Sequence, residues 1–232
     1  MILYAIPTPL GASPEESLPA PALARIRELK DFVAENAKSA RAFLAAAGAK
    51  PRELSITELS EHTAAAEVPQ LLQPLRDGRD LGLLSEAGCP AIADPGALLI
   101  EAAHLEGFRV VPLVGPSSIT LALMASGFEG QRFAFCGYLP RDAGERTKRI
   151  RELEARSRKE GETEIFIETP YRNDALASAL VQACAPATRL CIAADLTLPS
   201  ESVTTKAIAD WRRAPPAIGK RPAVFLLLAQ HR

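Results

Sequence analysis

The sequence predicts an α/β protein with a mostly parallel sheet in its first half, and three observations carry that prediction. Short apolar runs alternate with longer segments of helical periodicity from the N-terminus to Phe128. Several of the apolar runs end in Gly/Pro loops that feed a helix. The composition, 47% hydrophobic with only 5% aromatic, suits helices layered on a buried sheet better than an aromatic-rich sandwich.

The elements follow in order. ILYAI reads as a strand stopped by Pro7-Thr8-Pro9-Leu10-Gly11, because proline cannot donate to a ladder and glycine permits the turn. A helix is expected over residues 22–29, a strand at DFVAEN, a helix at SARAFLAAAG closing at Gly48, and a strand at ELSITEL. Residues 69–76 supply another expected helix before the strand DLGLLS. The loop SEAGCPAIADPG (residues 85–96) leads into a helix, and the strand RVVPLV leads through GPSS (residues 115–118) into the next. Right-handed crossovers turn such a βα series into a parallel sheet covered on both faces.

After residue 130 the character changes. RFAFCGYLP reads as a strand, and residues 142–159 as a charged helix carrying Arg146, Lys148, Arg149, Arg151, Arg156, Arg158 and Lys159. EIFIE, YRNDALASALVQAC, RLCIAADL, SVTTKAI with a helix through Trp211, and AVFLLLA complete the series. Two adjacent strands with no helix between them imply a hairpin and hence a mixed sheet. The expected domains are therefore residues 1–129, with a mostly parallel sheet, and 130–232, with a mixed one.

Charge and cysteine usage bound the function. The net charge of −1 gives no global basic field to draw the chain to nucleic acid, though a local patch still could. Cys89, Cys136, Cys184 and Cys191 lack CxxC spacing, and His62, His104 and His231 are isolated, so neither a disulfide framework nor a metal site is expected. The N-terminus lacks the length of apolar run that a signal sequence needs and no segment is long enough to span a bilayer. A soluble, cytoplasmic protein with no membrane partner is the expectation.

The long loop at 85–96 exceeds the two to six residues that βα connections commonly use, and its glycines and prolines display backbone groups rather than side chains. GPSS adds hydroxyls and amides at a helix start, suited to a carboxylate or phosphate, although a plain Ser cap would give the same pattern. Neither a Walker motif nor GxGxxG occurs. Glu35, the pair Glu61-His62 and Glu86 stand near expected strand ends and could act as bases. Cys89, with no sequence neighbour to lower its pKa, reads as structural.

PTPLG, FVAENAKSARAFLAAAG, LSEHT, LLSEAGCPAIADPG, VPLVGPSSI, GYLPRDAGERTKR, FIETPYR and IAADLT, in this order, resemble the ribosomal-RNA 2′-O-methyltransferase branch of the tetrapyrrole-methylase superfamily. The resemblance implies two α/β domains with S-adenosylmethionine in a cleft between them, and a homodimer. It places the cofactor-binding positions at Pro9, Gly88, Cys89, Ile92, Ser117, Ser118, Ile119, Thr169, Ala194 and Ala223. Glu35 and Glu86 become the candidate catalytic bases, Glu35 favoured. Arg141, Arg146, Lys148 and Arg172 become the candidates for gripping substrate, a small-subunit rRNA in the leading reading. A tetrapyrrole or other small-molecule acceptor, and a non-catalytic cofactor-binding protein, are the competing readings. The chain departs from the branch at Glu35-Asn36-Ala37-Lys38, where Glu-Asp-Thr-Arg is typical, at Glu86 and Cys89 in the long loop, and at Tyr171, which takes the place of a usual His.

Overall fold

The computed structural model describes residues 1–60 and 62–229, which form two compact units, Met1–Ser117 and Ser118–Arg232. The expected candidate Glu61 and the isolated His231 lie outside the described residues.

In the first unit β1 (Ile2–Ile6) is followed by α1 (Pro14–Ser17) and α2 (Ala20–Glu28), then β2 (Asp31–Ala34), α3 (Ala37–Ala46) and β3 (Ser55–Glu58). A 3-10 turn (Val68–Leu72) and α4 (Gln73–Arg76) lead to β4 (Leu81–Leu84), α5 (Ala97–Leu105) and β5 (Arg109–Pro112). The single helix expected over 69–76 is thus broken in two. Pro69 and Pro74 each sit at the start of a segment, where a missing N–H costs nothing, but neither can continue the preceding helical ladder.

All five strands are parallel, in the order β3-β2-β4-β1-β5. Alternate residues face opposite sides, so two cores form. Tyr4, Ile6, Phe32, Ala34 and Leu84 pack with α2 and α3, while Leu3, Val33, Leu81 and Leu83 pack with α5 and the segment at 68–76. This is why the strands read as unbroken apolar runs. Parallel order also brings every strand's carboxyl end to one edge of the sheet. β1 and β4 are neighbours whose outgoing connections run to opposite faces, the arrangement that opens a ligand crevice in an α/β sheet.

The second unit begins with α6 (Ser118–Ser126), followed by β6 (Phe133–Tyr138), α7 (Ala143–Glu160), β7 (Thr163–Ile167), a 3-10 turn (Pro170–Arg172) and α8 (Asn173–Ala183). β8 (Arg189–Ala194), β9 (Ser202–Ala207), α9 (Ile208–Arg213) and β10 (Ala223–Leu228) complete it. The sheet order is β6-β7-β10-β8-β9, with β6 and β7 parallel and the remaining pairs antiparallel. The expected β8–β9 hairpin and mixed sheet are present.

Phe166 and Phe225 stack with centroids 6.0 Å apart at the centre of a core closed by α7, α8 and α9. The opposite face carries Ile165, Cys191 and Leu226, and α6 packs on β8, β9 and β10. That packing explains why the division falls at residue 117 rather than at the composition change near 129. The sequence shows a shift in charge at 130, but the apolar face of α6, with Ile119 and Ala122 buried, belongs to the second sheet.

α7 starts at Asp142, whose carboxylate accepts from the Glu145 N–H at 2.9 Å, and stops at Gly161 in the left-handed conformation (φ 65°). No helix among the described residues is long and apolar enough to cross a membrane.

Candidate active site

At the carboxyl edge of the first sheet, loops from β4, β1 and β5 lie side by side. Thr8, two residues past β1, and Gly88, in the long loop, exchange two backbone hydrogen bonds of 2.9 and 3.0 Å. The Thr8 hydroxyl donates to the Ser85 carbonyl at 3.3 Å, and the Ser85 hydroxyl to the Gly88 carbonyl at 3.2 Å. Both hydroxyls are buried. Gly88 needs its φ of +79°, which only glycine adopts at low cost.

The rest of that loop holds strain. Ala91 and Ala93 have φ of 64° and 67°, a conformation that costs an L-residue roughly 1–2 kcal/mol. Such outliers persist only where surroundings enforce them, and they gather at ligand-binding segments. Half-buried Asp94 stands near the Ser85 side chain. Burial, ahead of the like charge of Glu86, pushes the Asp94 carboxyl up, and the Ser85 side chain opposes that rise.

The Cys89 thiol of this same loop lies 3.5 Å from the Pro116 carbonyl of the next one, and burial pushes its pKa up. Gly115 packs so closely on Pro7 that a Cβ there would lie 2.5 Å from the Pro7 Cβ. Ile92, by contrast, is 48% exposed, available as an apolar wall.

Two of the expected bases stand at this same edge. Glu35 directly follows β2 and is half-buried; Glu86 follows β4, is exposed, and accepts a hydrogen bond from the Ser39 hydroxyl. Asn36 caps α3, accepting from the Lys38 and Ser39 amides at 2.9 and 3.1 Å. The residue that breaks the usual Glu-Asp pattern therefore retains a helix-capping role. His62, the other half of the Glu61-His62 pair, is exposed on the turn after β3.

In the second unit Ala194 ends β8 and Ala223 begins β10, and they are direct cross-strand partners. Thr169 lies two residues beyond β7, at the same end of that sheet. The two alanines are buried and leave a small-residue surface. Next to it Arg221 contacts Asp195 at 2.6 Å, holding that carboxylate below its usual range. Asp195 and Thr197 have φ of 53° and 73°, a second strained turn beside predicted site residues. Ser118 and Ile119 open α6, where first-turn amides have no partner within the helix.

These features sit on a recognised scaffold. Residues 3–211 match the family described as Tetrapyrrole (Corrin/Porphyrin) Methylases. The chain belongs to this family. It is 34% identical over 211 residues to a ribosomal RNA small subunit methyltransferase I of Mesorhizobium japonicum, covering 90% of this chain and 69% of that one. A protein of the same name from Neisseria meningitidis serogroup B is 31% identical, over 94% of this chain and 72% of its own. Among solved structures, the methyltransferase CobJ matches with TM-score 0.65 and 19% identity, over 98% of this chain and 93% of that one. The uroporphyrin-III-C-methyltransferase of Thermus thermophilus matches with TM-score 0.56 and 20% identity, over 98% and 94%. Those two likenesses speak to the fold.

This methylase is a methyltransferase whose sequence-predicted residues fall into separate groups. Pro9, Gly88, Cys89, Ile92 and Ser117 lie on the three loops of the first unit, and Ala194, Ala223 and Thr169 share one sheet end in the second. Of the substrate candidates, Arg172 is held 2.7 Å from buried Glu168. Arg146 donates to the Arg141 carbonyl at 3.0 Å, and Arg141 and Lys148 are exposed. Much of the basic helix is neutralised at close range: Arg149 pairs with Glu152, Arg156 with buried Glu164, and Arg158 with Glu154. Sequence reasoning missed Ser85, Asp94, Asp195 and Arg221. For Asp94 and Asp195 a signal existed, since each stands in a turn rich in Gly, Pro or Ser next to a predicted cofactor residue.

Proposed function

We propose that this methylase transfers a methyl group from S-adenosylmethionine to a ribose 2′-hydroxyl of small-subunit rRNA, acting in the cytoplasm as a homodimer. The observation that carries the reading is the tied and strained 85–96 loop. Its backbone is tied by Thr8 and Ser85 at the carboxyl edge of a parallel sheet, where such folds bind ligands. Relatives named for small-subunit rRNA methylation support the choice of acceptor.

The residues present fit the cofactor. In the first unit, Pro9, Gly88, Cys89, Ile92 and Ser117 offer backbone groups and small apolar walls. In the second, Ser118 and Ile119 supply free helix-start amides for a carboxylate, and Thr169, Ala194 and Ala223 a small-residue surface. The bound cofactor supplies an activated methyl on a sulfonium. What remains for the protein is to align the acceptor oxygen, an effect of proximity and orientation. As the methyl's bond to sulfur gives way to the new C–O bond, leaving a neutral thioether, the ribose hydroxyl would also lose its proton, and Glu35 or Glu86 would accept it. Exposed Leu98 and Leu105 on α5 offer an apolar face for self-association.

The test is transfer of labelled methyl to small ribosomal subunits from cells lacking this protein, with free rRNA and uroporphyrinogen alongside. Label in a ribose of the subunit is the expected result. Label in uroporphyrinogen alone, or cofactor binding with no acceptor labelled, overturns it.

A further inference from the structure

Between α7 and α8 runs an open groove of about 430 Å³. Alanines from both helices form its floor, and Arg146, Thr147 and Arg151 of α7 face Ser178 and Gln182 of α8. No carboxylate lines it, although α7 carries Glu145, Glu152, Glu154 and Glu160.

The charge pattern around it is selective. Arg149, Arg156, Arg158 and Lys159 each have an acidic partner within 3.4 Å. Arg146 and Arg151 have no acidic group within 4 Å among the described residues. Two unneutralised guanidinium groups thus share one depression with three neutral hydrogen-bonding side chains. Arg146 adds a second sign: its Nε is buried with no hydrogen-bond partner while its Nη1 is held by the Arg141 carbonyl. A buried donor without an acceptor is costly, and an anion that draws the side chain into the groove would supply one.

We propose that this groove binds the phosphodiester backbone of single-stranded RNA, as an anchoring site separate from the methyl-donor residues. Guanidinium groups hold phosphate through paired N–H donors, and Thr147, Ser178 and Gln182 can bond phosphate or ribose oxygens without reading sequence. The small floor admits a backbone but offers no aromatic on which a base could stack. The site positions substrate and takes no part in methyl transfer. It rests on the rRNA reading and gives that reading a location for substrate grip.

The experiment is fluorescence anisotropy of a labelled single-stranded RNA oligonucleotide against salt, for the wild type and the double variant Arg146→Ala, Arg151→Ala. Each single-strand phosphate contact contributes a slope of about −0.7 in log K against log salt. The double variant is expected to lose about 1.4 of slope, and so about 25-fold in affinity at 0.1 M salt. Arg146→Lys with Arg151→Lys should restore the slope. Ser178→Glu, which leaves both arginines in place, should weaken binding in the same direction. S-adenosylmethionine affinity by calorimetry should stay unchanged throughout. An unchanged slope in both the double-alanine and the Ser178→Glu proteins, with small subunits still methylated by the wild type, overturns the groove and leaves the rRNA reading standing. A wild type that binds no RNA and labels no subunit overturns both.

Discussion

Gly115→Ala should destabilise the methylase, although the usual expectation for this change has the opposite sign. Gly115 does not have the positive φ that only glycine tolerates, so alanine there would ordinarily stiffen the unfolded chain and add about 0.4–1 kcal/mol of stability. Here the new Cβ lies 2.5 Å from the Pro7 Cβ and 2.9 Å from both the Pro7 Cγ and the Leu18 Cδ2. Carbon pairs prefer about 3.5–4.0 Å, so a separation must open by about 1 Å. Leu18 can change rotamer, but Pro7 cannot. Its ring fixes φ, and the strand it follows is pinned by pairing of Ile6 with Leu84 and by the Leu113 N–H donating to the Ala5 carbonyl at 2.8 Å. Overpacking of this kind costs about 1–3 kcal/mol, or about 2–12 °C in Tm for a chain of this size. The displaced segment also carries Thr8, so cofactor affinity should fall with it. Urea unfolding and calorimetric titration with S-adenosylmethionine read the two effects. Gly130→Ala, with no atom within 4 Å of its Cβ, is the control that should be neutral or stabilising. A Gly115→Ala protein as stable as Gly130→Ala would refute the steric argument.

Further expectations follow from single contacts. Asp94 has a raised folded-state pKa, so the stability linked to its protonated form is present below about pH 3.9 and lost as pH rises through the folded value; Asp94→Asn should remove that dependence and be the more stable protein at pH 7 in urea titrations run across pH. Asp195 is shifted the other way by Arg221, so its contribution is present above about pH 3.9 and lost as pH falls through its lower folded value; Asp195→Asn should flatten the acid limb of the stability curve, and an unchanged limb would sink this account. Phe166→Ala removes half of the stacked pair at the centre of the second core and should cost about 3–5 kcal/mol by chemical denaturation. Gly88→Ala should weaken cofactor binding more than it affects global stability, because its strain at φ +79° falls on the loop that meets the ligand.

Much of the fold was legible because punctuation and periodicity are local properties. Four-residue runs such as LGLL, entered from Asp80, and RVVP, set between Gly107 and Gly115, are strands of the first sheet at their expected places. The order β3-β2-β4-β1-β5 was not legible, since adjacency is set by crossover handedness and by which faces must be covered. The allegiance of α6 was hidden for the same reason: nothing in SITLALMAS says which sheet its buried Ile119 and Ala122 will meet. The broken segment at 68–76 could have been read from Pro69 and Pro74, whose missing donors outweigh the helical spacing of the leucines around them.

The candidate site divides along the same line, between what backbone composition encodes and what only tertiary placement creates. The 85–96 loop is readable because glycine and proline at fixed places constrain φ, and a constrained long loop at a strand end has few purposes. Ala194 and Ala223 carry no chemical signal, and only the family resemblance singled them out; their meaning is that β8 and β10 pair in the register that sets them opposite each other. The charges show the reverse case. Counted along the sequence, α7 presents one basic face, yet Glu164 from β7 and Glu152, Glu154 and Glu160 from the helix itself remove most of it. What survives is exposed Lys148 and the pair Arg146 and Arg151, and that pair is set apart by having α8, with its alanines, serine and glutamine, as its neighbour. A net charge near zero is therefore compatible with an RNA-facing surface, because binding depends on where cations are left unpaired rather than on how many the chain contains.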